Sequence, residues 1–321
     1  MGIFLNSTAP FEAYKITALD KYFVDKTMLI EELIPSIGRE QRFLCITRPR
    51  RFGKTVMANM VASYFGKAID SSFIFEHLAI AKSPVYEEYI NKYDVIYIDF
   101  SRLPENCQTY EEYINRIKTG IKEDLFEEFP ELELKEEMSL WDILAKIFQK
   151  TNRKFMFIMD EWDAVFHMPF ISQKERQEYL LFLKNLLKDQ VYVELAYMTG
   201  ILPIAKYSAA SELNMFVEYN MATRERFSSY FGFSEEEVDK LFQIYSETTI
   251  RPRITRQDLK IWYDGYCTAS GEQLYNPRSI ICALSDNQLD SYWTGSGPYD
   301  EIFYYIKGNI DEVREDFILM I

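Results

Sequence analysis

The chain has 321 residues, 50 of them acidic and 36 basic, giving a net charge of -14. That length can bury one large core or a core with a smaller domain appended, and two units are expected, 1–225 and 226–321. The acidity opposes a nucleic-acid backbone over most of the surface, which disfavours a general nucleic-acid binder and leaves direct nucleic-acid binding doubtful.

Four cysteines, Cys45, Cys107, Cys267 and Cys282, form no C-x-x-C pair, which argues against a zinc site or a disulfide framework and fits a reducing cytoplasm. No apolar run is long enough for a membrane helix and the first thirty residues do not read as a signal peptide, so a soluble cytoplasmic protein with no membrane partner is expected. The two histidines, His77 and His167, lie near no plausible Ser or Cys nucleophile and are read as structural.

In chain order, β-branched and aromatic runs at 43–47, 94–100, 154–160 and 192–199, with a weaker one at 215–219, read as strands. Helical spacing of apolar residues at 55–65, 110–126, 141–149 and 174–187 supplies crossovers between them. Near-continuous apolar strands separated by helices indicate a doubly wound, mainly parallel α/β sheet buried on both faces. The glutamate-rich stretch 123–137, interrupted by Pro130, reads as a solvated loop. Beyond about residue 230 the pattern changes. FSEEEVDKLFQIY opens with Ser234 and Glu237 in capping-box spacing, and ITRQDLKIWYDGY offers a second helix ending near Gly265. YCTASGEQLYNPRSIICAL then reads as two extended pieces around a turn at Ser270-Gly271, followed by another helix. A small helical or winged C-terminal domain is the expectation.

RPRRFGKT, residues 48–55, follows the first strand and opens the first crossover helix. It ends as a phosphate-binding loop does, but G-x-x-x-x-G-K-[ST] wants a glycine where Arg48 stands. In that position Gly53 lets the backbone come close, helix-start N–H groups face phosphate oxygens, Lys54 reaches the β- and γ-phosphates, and the Thr55 hydroxyl ligates magnesium. The first glycine serves mainly a tight turn, which Pro49 could replace by a different approach to the loop. The nucleotide-holding set is therefore Arg48, Pro49, Arg50, Arg51, Phe52, Gly53, Lys54, Thr55 and Val56. Arg48, Arg50, Arg51 and Lys54 concentrate positive charge in an acidic protein, with Arg50 or Arg51 contacting phosphate or pairing with Asp160 or Glu161. As surface charges they would only tie the loop to neighbouring carboxylates.

KFMFIMDEWD, residues 154–163, ends a strand in two acids. Asp160 suits magnesium, Glu161 suits the base that polarises water, and Asp163 either supports the metal site at one remove or caps the next helix, the cap being the preferred reading. Acids at a strand tip are otherwise solvated loop residues, but a phosphate loop earlier in the chain strengthens the catalytic reading. Thr199, at the tip of the 192–199 strand, either senses the γ-phosphate or makes a turn before Gly200. Arg224 and Arg226 either reach phosphate from a lid or are exposed arginines without a role.

YFVDKT (22–27), RPRRFGKT, DEWD (160–163), the TG at 199–200, GFSEEEV (232–238), WYDGY (262–266) and YNPRS (275–279) together resemble the AAA-ATPase-like family, over residues 11–317. The resemblance implies a P-loop ATPase of the additional-strand type, with ATP and Mg2+ as cofactors and a first loop glycine that the family also lacks. Many members continue into a PD-(D/E)XK nuclease-like domain; this sequence stops at FILMI with no such motif, which reads as a truncated or trimmed form. The expected function is magnesium-dependent ATP hydrolysis that switches an attached effector protein or nuclease-like domain. The alternative is a nucleotide-gated binding module with little turnover. The oligomeric state is not legible.

Overall fold

A computed structural model of the chain describes residues 2–207, 211–221, 224–268 and 270–292. The FILMI end and the rest of 293–321 lie outside the described residues. The chain forms two compact units. The first comprises Met1–Asp20, Asp25–Ile46 and Thr55–Glu218, and the second Lys21–Val24, Thr47–Lys54 and Tyr219–Ile321.

The first unit opens with α1 (Ala9–Ala18) and α2 (Met28–Leu33), then β1 (Phe43–Thr47) and α3 (Lys54–Phe65). Two short helices, α4 (Ser72–Phe75) and α5 (Tyr86–Tyr89), lead to β2 (Asp94–Asp99), α6 (Tyr110–Glu128) and α7 (Leu140–Thr151). β3 (Phe155–Asp160), α8 (Gln173–Leu187), β4 (Val193–Gly200), α9 (Ile204–Tyr207) and β5 (Val217–Tyr219) complete it. The strands form one five-stranded sheet in the order β2-β3-β4-β1-β5. β2 pairs with β3 and β3 with β4 in parallel. β4 therefore lies between the strand that leads into the phosphate loop and the strand that ends in the acids, which is the additional-strand arrangement.

β3 is buried along its whole length, as its unbroken apolar sequence requires in a sheet covered on both faces. α6 and α8 begin with capping boxes, Thr109 with Glu112 and Ser172 with Glu175. The 123–137 stretch departs from the loop expectation, since α6 continues to Glu128. Leu125 is fully buried, and the buried Asp124 carboxylate accepts the backbone N–H groups of Ile3, Phe4 and Leu5. An acid that reads as solvated from its neighbours is here a tertiary anchor.

In the second unit, α10 (Glu235–Thr248), α11 (Arg256–Tyr263), the antiparallel pair β6 (Asp264–Cys267) and β7 (Gln273–Tyr275), and α12 (Pro277–Asp286) follow in order. α10 carries the Ser234 and Glu237 capping box. The second helix stops at Tyr263, short of Gly265, because Asp264 already pairs with Tyr275 across the hairpin. Val238, Leu241, Tyr245, Leu259, Tyr275 and Ile280 build its core, and Arg256 links Glu235 and Asp239 at its surface. All four cysteines are free. No helix among the described residues is long and apolar enough to cross a membrane.

Candidate nucleotide-binding site

The phosphate-loop segment Thr47–Lys54 belongs to the second unit, and its conformation follows from what it touches there. Arg48, in place of the first glycine, is 0% exposed. Its guanidinium donates to the Thr47 carbonyl at 2.7 Å, the Tyr219 carbonyl at 2.9 Å and Ser228 Oγ at 3.3 Å, and stacks 5.0 Å from the Phe231 ring centre. A buried charge is tolerable only with such partners. These three acceptors lie in the second unit, whereas Arg50 is exposed and Arg51 half-buried. Pro49 is buried.

Arg51 has φ +67 and Gly53 has φ +86, so two left-handed residues turn the chain within the loop. Glycine adopts that region freely, whereas an arginine held there costs about 1–3 kcal/mol unless its surroundings over-determine it. A Cβ built at Gly53 would meet nothing, so it is the backbone angle, not crowding, that calls for glycine there. Phe52 is buried between Met221 and Leu274, with its ring edge-on to Tyr266 at 4.6 Å. Lys54 is 5% exposed, and its ammonium donates to the carbonyls of Arg48 and Pro49, both at 3.2 Å. Thr55, the second residue of α3, is exposed and Val56 is half-buried.

The acids occupy the tip of β3, and Thr199 that of β4, in the first unit. Asp160 is 1% exposed, and Thr199 Oγ1 donates to its carboxylate. The Glu161 backbone N–H donates to the same hydroxyl at 3.4 Å. Thr199 thus joins the two acids, a role not foreseen for it. Burial, then the negative charges of Asp160 and Asp99, push the neighbouring Tyr97 hydroxyl well above its ordinary pKa. Glu161 has φ +49, left-handed without being glycine, and makes no side-chain cap for the 3-10 turn Trp162–His167. Strain of that kind concentrates at working sites.

Asp163 departs from its expected capping role: its carboxylate accepts the N–H groups of Ile201 and Leu202 at 3.0 and 2.9 Å. Trp162 is fully buried, its carbonyl bonded by the Tyr179 hydroxyl at 2.8 Å and its ring edge-on to Phe166. Any Cβ at Gly200 would fall inside 3.0 Å of the Trp162 ring and of Asp163 Oδ1. The glycine after Thr199 is therefore a close-approach position.

The family model described as "Predicted AAA-ATPase" matches residues 11–210, well over half of the chain. The chain belongs to the AAA-ATPase-like family. That membership supports nucleotide binding by this AAA-ATPase-like protein. A curated relative, an "uncharacterized protein in vnfD 5'region" of Azotobacter chroococcum mcd 1, is 23% identical over 287 residues, covering 87% of this chain and 51% of its own. Among solved structures, the Aeropyrum pernix ORC1 protein in complex with DNA aligns at 13% identity and a TM-score of 0.40, over 88% of this chain and 63% of that one. C. elegans PCH-2 aligns at 10% identity and a TM-score of 0.31, over 97% and 70%. The chain thus spans about half the length of the curated relative it matches and under two thirds of the ORC1 chain.

Sequence reading missed the residues that hold the loop, namely Tyr219, Ser228, Gly232, Tyr266 and Asn276. GFSEEEV, WYDGY and YNPRS mark three of them as motif positions, but nothing in local spacing says what a motif residue far along the chain will touch.

Proposed function

We propose that the protein binds ATP with magnesium through Gly53, Lys54 and Thr55 and hydrolyses it with Glu161 as the base, the change in nucleotide state being passed to an attached effector or partner. The observation that carries this reading is Lys54. A buried ammonium at the start of a helix, folded onto the carbonyls of its own loop, is set where phosphate oxygens would compete for it. Arg50 and Arg51 add positive charge beside it, and an oxyanion is drawn to such a cluster even on an acidic protein. Arg48, being buried, contributes by shaping the loop.

The donor set suits magnesium, a hard ion that prefers oxygen: the Thr55 hydroxyl and the Asp160 carboxylate, the latter held by Thr199. When bound, the ion would neutralise charge on the phosphates. Glu161 takes the proton of the attacking water, and the left-handed backbone of Glu161 and its bond to Thr199 fix where that carboxylate starts. In this reading Thr199 senses phosphate through its hydroxyl. The four free cysteines favour a reducing cytoplasm.

Titration calorimetry with ATP and magnesium tests it: wild type binds, and Lys54→Ala loses most of the affinity. Equal binding by both would remove the phosphate-loop assignment. Phosphate release without any acceptor separates hydrolysis from a nucleotide-gated module that scarcely turns over.

A further inference from the structure

The left-handed Arg51 is bracketed by two anchors that come from far along the chain. On one side, Asn276 Nδ2 donates to the Arg50 carbonyl at 3.3 Å, across 226 positions of sequence. On the other, the Phe52 ring sits with Tyr266 and Leu274, and the Phe52 carbonyl accepts the Gly232 N–H at 3.4 Å. Gly232 itself has φ +83, and a Cβ there would come within 3.1 Å of the Phe52 ring. Upstream, the buried Arg48 ties the loop's first residue to Tyr219 and Ser228. These partners and the loop all belong to the second unit.

A standard phosphate loop takes its shape from within, through a glycine at the first position. Here that position is an arginine, and the shape comes from side chains reaching the loop from outside. We propose that Arg48 and Asn276 are positioning residues for nucleotide binding: together with the Phe52 seat they replace the missing glycine and hold residues 49–53 ready for phosphate. The proposal rests on the nucleotide reading above and adds the residues that control its affinity.

Asn276 has two duties that chemistry can separate. Its Oδ1 caps α12 by accepting the Ser279 N–H at 3.1 Å, while its Nδ2 holds Arg50. Serine is also a good helix cap, but its side chain is too short to reach the Arg50 carbonyl. Asn276→Ser therefore keeps the helix and removes the clamp.

The decisive variant at the other end is Arg48→Gly, which restores the full G-x-x-x-x-G-K-T spacing. If the arginine merely stands where a glycine would do better, Arg48→Gly binds ATP–magnesium as well as wild type or more tightly, and the proposal is overturned. The expected result is a loss of about tenfold or more, because buried carbonyl acceptors are left without their donor. For Asn276→Ser, which does not depend on refilling a buried site, ATP affinity should fall about 3- to 10-fold with the melting temperature nearly unchanged.

Hydrogen exchange judges the clamp without nucleotide. Amides of residues 50–53 should exchange faster in Asn276→Ser than in wild type, while those of α12 should not. Unchanged exchange in that loop overturns the clamp whether or not ATP binds. Faster exchange together with a wild type that fails to bind ATP would instead sink the nucleotide reading alone.

Discussion

The phosphate loop and the acid tip are held in different ways. Asp160, Glu161 and Thr199 sit on adjacent parallel strands, so the register of one sheet brings them together. The loop is fixed by Tyr219, Ser228, Gly232 and Asn276, whose bonds to it cross 171 to 226 positions wherever a side chain is involved. A side chain on a strand tip inherits its position from the fold. A loop without its usual glycine has to be given one by side chains, and each of those is a separate point of failure.

If the two regions divide the work, substitutions should divide it too. The largest effect is expected from Glu161→Gln, which should slow phosphate release about a hundredfold or more while leaving ATP affinity intact. Single-turnover and binding measurements on the same preparation check it; the mirror image of Lys54→Ala sharpens the contrast, and a joint loss of affinity and rate breaks it.

Next comes packing at the acid tip. Gly200→Ala forces a methyl against the buried Trp162 ring, and overpacking of this kind costs about 1–3 kcal/mol. Denaturant melts of the variant should show that loss. A wild-type melt would mean that the Trp162 turn yields easily and that the acid tip is no stiffer than the loop.

The smallest effect concerns the surface cluster of the second unit. Burial tends to raise the Glu235 pKa, but hydrogen bonds from Tyr275 and Lys260 and the charge of Arg256 outweigh it and leave the value lowered. A lowered folded-state pKa means that the stabilisation is present above the ordinary value of 4.5 and is lost as pH falls through the folded value. The gap in melting temperature between wild type and Glu235→Gln should thus close on acidification below that point. Because the side chain is 44% exposed, the gap is small to begin with.

Most of the sheet was legible because each strand is an apolar run with a helix after it. The observed β1 matches its expected span, and β3 begins one residue later than expected. The insertion of β4 between β1 and β3 followed from the ATPase-like resemblance. What was not legible has one cause. Asp124, Asp163 and Arg48 are charged residues whose local surroundings suggest solvent, a helix cap and a phosphate contact, yet each bonds to backbone groups brought close by the tertiary fold. Asn276, just before Pro277, caps α12. Its second bond, to Arg50, has no local signature.

The free cysteines give this molecule a chemical clock. Cys45 lies fully buried in β1, and burial, followed by the charges of Glu218 and Asp163, pushes its thiol well above the ordinary range, so almost no thiolate is present or reachable. Cys107, Cys267 and Cys282 are only half-buried. A thiol-selective reagent therefore marks Cys107, Cys267 and Cys282 early and records Cys45 only when the central sheet opens, so one modification time course by mass spectrometry reads that opening without any label being engineered.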